Sequence, residues 1–315
     1  VDFLLLLAAG MERQTTSSII MVRPAAFGSN VETAANNTFQ HQPRAGEEEI
    51  SRNALREFDD LVDKLRNEGV DVLVVEDTPE PAKPDAVFPN NWISFHSNGV
   101  VATYPMYSEL RRQERRRELL DLLAEKYAIS KIMALEDAEA QSLFLEGTGS
   151  MVLDRVNRVA YACLSPRTSE SLLQKWCELF GYTPFAFQAF LHGQAIYHTN
   201  VMMAIGDGVC VVCLDVVEGS RREDLYQQLS STGRDVVVLR TDQINTFAGN
   251  MLALRNGRGE QIMVMSAAAH ASLDDDQIAR IEKHAHIVSS DVHTIEQVGG
   301  GSVRCMIAEN FLPHI

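Results

Sequence analysis

VMMAIGDGVCVVCL, residues 201–214, is an apolar run, an Asp207-Gly208 step and a second apolar run. An Asp-Gly pair in that setting supplies the left-handed residues of a tight turn, so the stretch predicts a β-hairpin. Three more stretches repeat the pattern: WISFHSNGVVATYP (92–105) around Asn98-Gly99, MVLDRVNRVAYACL (151–164) around Val156-Asn157, and MLALRNGRGEQIMVM (251–265) around Asn256-Gly257. Each is followed by a helical pattern, over 108–127, 168–182, 220–233 and 273–285, and then by a short extended run, KIMAL, FAFQAF, DVVVLR or HIVSS. The repeating unit is hairpin, helix, strand.

A fifth helix, EEEISRNALREFDDLVDKLRNEG (47–69), puts Ile50, Ala54, Phe58, Leu61 and Leu65 on one face and leads into VDVLVV, yet no hairpin precedes it. The gap closes if SIIMVRP (18–24) pairs with SVRCMIAE (302–309), so that the two ends of the chain build the fifth hairpin. The predicted class is therefore α/β, a five-bladed α/β propeller closed by pairing of the N- and C-terminal strands. A doubly wound parallel sheet would need strands and helices to alternate without hairpins. Residues 11–315 are read as a single catalytic domain. The opening VDFLLLLAAG is too short to span a bilayer, has no basic flank and precedes Met11, a natural start; residues 1–10 are read as a leader or upstream-translated segment outside the fold.

Lys and Arg number 28 against 43 Asp and Glu, a net charge of -15, which repels phosphate backbones and anionic lipid. Nucleic acid and membrane are excluded as partners, and a small molecule is expected instead; self-association into a homo-oligomer is left open. The one basic cluster, RRQERRR (111–117), is read as a solvated helix face. Five scattered cysteines make no disulfide framework and fit a reducing cytosol. Cys210 and Cys213 form a C-x-x-C on a buried strand with no second pair, so no metal and no cofactor is expected.

One polar segment stands before the first strand of every hairpin: FPNNW (88–92), FLEGTGS (144–150), YHTN (197–200), FAGN (247–250) and GGGSVRC (299–305). In a closed propeller these segments converge on one axis, and the three glycines let the backbone come close there.

Taken in that order and spacing, LEGTGS, LSPRT (164–168), IYHTN and GGGSVRC resemble the pentein, or guanidine-group-modifying, superfamily, and within it the citrulline-utilisation hydrolase group. The resemblance covers the chain from Met11 onward. It implies Cys305 as nucleophile on the planar carbon of a guanidino or ureido group. His198 would protonate the leaving nitrogen and then activate water, and Glu146 would orient His198 and hold a substrate nitrogen. Arg167 in LSPRT matches an arginine that grips the substrate α-carboxylate. Asp85, in PDAVF, matches a position at the mouth of the site and would also serve as a turn cap.

Two departures set the expected substrate. Where guanidine-processing relatives carry aspartates, this chain has Asn91 and Asn200. An amide offers a donor and no charge, which suits a neutral urea carbonyl better than a guanidinium. The expected reaction is hydrolysis of citrulline, or a close analogue, to ornithine, ammonia and carbon dioxide. The alternatives are an arginine deiminase or dimethylarginine dimethylaminohydrolase-like enzyme, then an amidinotransferase, then a non-catalytic binding protein; a papain-like protease fits poorly, because Cys305 is expected inside a strand. Asn250 and Arg304 are read as structural, Arg23, Asn36 and Asn37 as candidates for lining the pocket, and His284 and His286 as surface residues.

Overall fold

The computed structural model describes residues 12–41 and 45–315. The segment read as a leader, residues 1–10, lies outside the described residues. Five three-stranded sheets follow one plan, in which the first strand runs antiparallel to the second and the second parallel to the third. Four come from the predicted hairpins: Ile93–Phe95, Val100–Thr103 and Lys131–Ala134; Val152–Asp154, Val159–Cys163 and Thr183–Phe187; Met203–Ile205, Val209–Val212 and Asp235–Val238; Leu252–Arg255, Gln261–Ser266 and His286–Ser290. The fifth joins the chain ends. Ile19 and Ile20 in Ser18–Arg23 face Glu309 and Ala308, and Ser18–Arg23 runs parallel to Asp71–Glu76.

Burial explains the plan. The middle strands VAYAC, VCVV and QIMVMS are buried at every position, whereas the third strands keep exposed residues and form the sheet edges. Cys210 and Cys213 are both buried in this way. The helix Glu47–Asn67 buries Ile50, Ala54, Phe58, Leu61 and Leu65, as its periodicity predicts. Each larger side chain there contributes about 1.5–3 kcal/mol of apolar burial.

Three expectations are corrected. The helix read over 108–127 is two, Glu109–Arg112 and Arg117–Ala124; between them Glu114 binds Arg111, Arg115 binds Glu139 and Arg116 donates to the Glu76 carbonyl. The run FAFQAF divides: the strand ends at Phe187, and Phe190–Leu191 starts a separate small hairpin with Gln194–Ala195, turning at His192-Gly193 where both residues have positive φ. Cys305 does not lie in a strand. It sits on a single 3-10 turn, Val303–Met306, ahead of the two-residue strand Ala308–Glu309.

That turn has counterparts. Helical turns at Pro89–Asn91, Gly147–Ser150 and Thr199–Val201 also stand immediately before first strands, so four of the five polar segments carry short helical turns, FAGN (247–250) being the exception.

Candidate active site

Cys305, His198, Asn91, Asp85 and Arg167 line one small buried cavity, together with Arg111, Tyr197, Phe88, Thr33, Asn37 and Gly299–Gly301. Its free volume is about 10 Å³, room for a single water, so a substrate enters only when the covering residues move. Thr33 and Asn37 belong to the segment that follows Ser18–Arg23, and Asn37 donates to the Gly300 carbonyl at 3.0 Å. The same carbonyl accepts from the Tyr197 hydroxyl. Gly300 has φ +66°, a conformation open to glycine that turns its carbonyl toward both donors.

His198 Nε2 lies 2.8 Å from Glu146 Oε2, with both side chains buried. Burial pushes the Glu146 carboxyl up, but the His198 hydrogen bond and the Arg167 guanidinium outweigh it and hold the carboxyl at about 2. For His198 burial wins, and the imidazole is pushed down to about 4 in spite of Glu146. Near neutral pH the pair is thus a carboxylate and a neutral imidazole whose Nε2–H donates. No described residue hydrogen-bonds Nδ1, which is left free to exchange a proton. Glu146 does not line the cavity: Oε1 accepts from the Tyr107 backbone N–H at 2.9 Å and Oε2 is shared by His198 and, at 3.7 Å, Arg167. Its geometry suits orienting the histidine, and it does not itself border the cavity.

A low imidazole value has two consequences. The acid limb of kcat/KM is expected at about pH 4, well below the 6.5 of a solvated imidazole, and a pH–rate profile measures it. Because the unfolded chain binds the His198 proton more readily, the stability that neutral His198 contributes is present above about pH 6.5 and is lost as pH falls toward about 4.

Cys305 and His198 meet through the cavity; no hydrogen bond joins them. The sulfur is instead held by amides, Asn250 Nδ2 at 3.3 Å and Asn200 Nδ2 at 3.5 Å. Asn250, expected to be structural, therefore touches the expected nucleophile. Arg304 is buried as expected for a packing role, with its guanidinium on the Ile307 carbonyl and on Glu309.

The reading of RRQERRR as a solvated face is overturned at its first residue. Arg111 is 3% exposed and lines the cavity. Its Nε and Nη2 bind Glu114 at 2.8 and 2.9 Å, and Nη1 donates to Asn91 Oδ1 at 2.7 Å. Arginine only donates, so it fixes the Asn91 oxygen toward itself and turns the Asn91 nitrogen to Asn90 Oδ1 at 3.0 Å. Arg115 meanwhile pairs with Glu139 at 2.6 Å. The only sequence trace of the buried pair is the Arg111–Glu114 spacing of three, which any solvated helix shares.

Asp85 is 3% exposed, 3.7 Å from Arg111, and accepts from Asn30 Nδ2 at 2.8 Å through one oxygen. Its other oxygen, Oδ1, is buried without a hydrogen-bond partner. Burial raises its carboxyl against the pull of Arg111 and Asn30. Arg167 donates to Asn36 Oδ1 and, at 3.2 Å, to the Thr33 carbonyl, and lies 4.7 Å over the Tyr197 ring. The cavity consequently carries two guanidiniums and a carboxylate beside its amides. Asn37 lines the cavity and Asn36 braces Arg167, whereas Arg23 pairs with Asp59 at 2.8 Å elsewhere.

A family model described as "N,N dimethylarginine dimethylhydrolase, eukaryotic" matches residues 23–312. No curated protein is similar enough in sequence to count as a match. Among solved structures, apo ArgZ, an arginine dihydrolase from the ornithine-ammonia cycle in cyanobacteria, aligns with a TM-score of 0.74 and 14% identity over 95% of this chain. This chain spans 41% of that one. The N-terminal domain of ArgZ bound to substrate gives a TM-score of 0.72 at 14% identity, covering 94% of this chain and 99% of that domain. A dimethylarginine dimethylaminohydrolase in an adduct with S-methyl-L-thiocitrulline gives 0.67 at 15% identity, with 94% and 99% covered. At such identities the likeness is one of fold, while the family match rests on the sequence itself. The chain belongs to the N,N dimethylarginine dimethylhydrolase family of the pentein superfamily, hydrolases of non-peptide C–N bonds.

Proposed function

We propose that the protein hydrolyses the terminal C–N bond of an arginine-type guanidino amino acid through a covalent intermediate on Cys305. One observation carries this reading: Asp85, whose Oδ1 is a buried acceptor without a hydrogen-bond partner, lines the cavity with Cys305 and His198, and Arg167 lines it too. An unpaired buried carboxylate oxygen is costly, and a cationic substrate group relieves it. Arg167 is the counterpart for the α-carboxylate.

In the first half-reaction the Cys305 sulfur bonds to the guanidino carbon and its proton passes through His198 to the nitrogen that leaves as ammonia or a methylated amine. In the second, water gives a proton to His198 and its oxygen bonds to the carbon. The S–C bond then breaks, the proton returns to sulfur, and a ureido amino acid leaves. Glu146 keeps His198 oriented throughout.

A second reading, citrulline as substrate, is favoured by the amides of Asn200 and Asn250 at the sulfur and by that of Asn91 on the cavity wall; it would place the chain in the citrulline-utilisation hydrolase group. Both readings use one sulfur and one histidine. The fold reading that goes with them is five sheets around one axis. It is supported by first strands that lie against one another, Ala308–Glu309 against Ile93–Phe95 and Met203–Ile205 against both Val152–Asp154 and Leu252–Arg255. We take residues 11–315 as one catalytic domain. A reducing, cytosolic setting suits five unpaired cysteines, and among the described residues no helix is long and apolar enough to cross a membrane.

Incubation with arginine, methylated arginines and citrulline in parallel, assayed for amine, citrulline and ornithine, tests the choice. Release of ammonia or a methylamine with citrulline as product is the expected result. Consumption of citrulline alone would transfer the assignment to the second reading, and no turnover of any of them would remove both.

A further inference from the structure

Asn250, the last residue of the polar segment FAGN (247–250), reads as structural in the sequence, yet it reaches the Cys305 sulfur. Asn250 is fully buried. Its Oδ1 accepts from the Arg304 backbone N–H at 3.1 Å, and its Nδ2 donates to the Asn200 backbone carbonyl at 2.9 Å. A backbone N–H only donates and a backbone carbonyl only accepts, so these two partners fix which end of the amide is which. The second Nδ2 hydrogen is then left for Cys305 Sγ at 3.3 Å, while Oδ1, 3.7 Å from the sulfur, already accepts from the Arg304 N–H. Asn200 has no such constraint. Its nitrogen and oxygen lie 3.5 and 3.9 Å from the sulfur, and its side chain has no other hydrogen-bond partner among the described residues.

We infer that Asn250 is a further catalytic residue, a locked carboxamide donor that stabilises negative charge on Cys305 before attack and again when the sulfur departs from the intermediate. The inference rests on Cys305 being the nucleophile and on no particular substrate. A donor fixed by two backbone groups needs no reorganisation as charge develops, the condition under which a single hydrogen bond acts most strongly. Asn250 also reaches across units. Its segment precedes Leu252–Arg255, while Cys305 precedes Ala308–Glu309, so one amide ties the sulfur's 3-10 turn to the turn at Thr199–Val201.

The test is alkylation of Cys305 by iodoacetamide near neutral pH, which requires no substrate. Burial pushes Cys163, Cys177 and Cys210 up to about 12 and raises Cys213, so those thiols react slowly, and a Cys305→Ala control subtracts them. Asn250→Asp keeps the acceptor for the Arg304 N–H and replaces the donor by an acceptor; Asn250→Ala removes both. Alkylation is expected to slow about tenfold or more in each, with a matching loss of thiolate ultraviolet absorbance. A folded variant that alkylates at the wild-type rate overturns the inference. Against the event that neither variant folds, the wild-type protein labelled with nitrogen-15 offers an independent measurement. The Asn250 side-chain amide protons should shift on alkylation of Cys305, and unchanged resonances overturn the inference equally. Slower alkylation in a protein that turns over none of the tested amino acids would leave the inference standing and remove only the substrate assignment.

Discussion

Replacing Cys305 by alanine is expected to lower turnover on the order of 10⁴-fold or more, because no other thiol lines the cavity. The four remaining cysteines are buried outside it, and His198 has no sulfur to deprotonate once Sγ is gone. The fold should survive. A buried cysteine behaves as a small apolar side chain, and its removal leaves Asn250 anchored on Arg304 and Asn200. The loss of stability should stay near or below about 1.5 kcal/mol. Substrate turnover and thermal melting measured side by side check both halves, and substantial activity in a properly folded variant would mean that the nucleophile lies elsewhere.

The second large effect falls on stability. Gly147 has φ +47°, and a Cβ there would stand 2.3 Å from the Asn90 carbonyl oxygen and 3.0 Å from that of Asn91. These are backbone atoms, so no side chain can swing aside. Gly147→Ala should cost about 3 kcal/mol or more, from the left-handed conformation and the overlap together. For a chain of this size that lowers the melting temperature by roughly 4–5 °C or more. Activity should fall as well, since Glu146 is the preceding residue and a shift of this turn pulls its carboxylate away from His198. A melting temperature within a degree of wild type would show that the turn at Gly147–Ser150 yields more easily than its backbone contacts imply.

Much of this was legible in the sequence because it was written in turns and spacing. Asn98-Gly99 and Asp207-Gly208 mark hairpins that are present with the glycine at positive φ, whereas in the hairpin read at Asn256-Gly257 the positive-φ glycine is Gly259. The missing fifth hairpin was deduced from the count alone and is present between Ser18–Arg23 and Ala308–Glu309. His198, Asn91, Asp85 and Arg167 do share a cavity with Cys305.

What escaped was long-range and electrostatic. A cluster of arginines on a helical pattern reads as a wet surface, and nothing local distinguishes Arg111, sealed against Glu114 and Asn91, from Arg117, which is exposed. Asn250 was undervalued because its importance lies in two backbone partners distant in sequence. The 3-10 turn carrying Cys305 was missed because one helical turn lacks a period to recognise.

The pairing of Ile19 with Glu309 and Ile20 with Ala308 has a consequence for how the protein comes into being. A ribosome must deliver residue 309 before residue 19 meets its antiparallel neighbour, and the sulfur sits only four positions upstream of that last partner. Every shorter nascent chain therefore lacks a finished reaction centre, which keeps an activated thiol from being assembled in the half-made protein. Such a late, distant closure also marks this sheet as the step that should limit the folding rate.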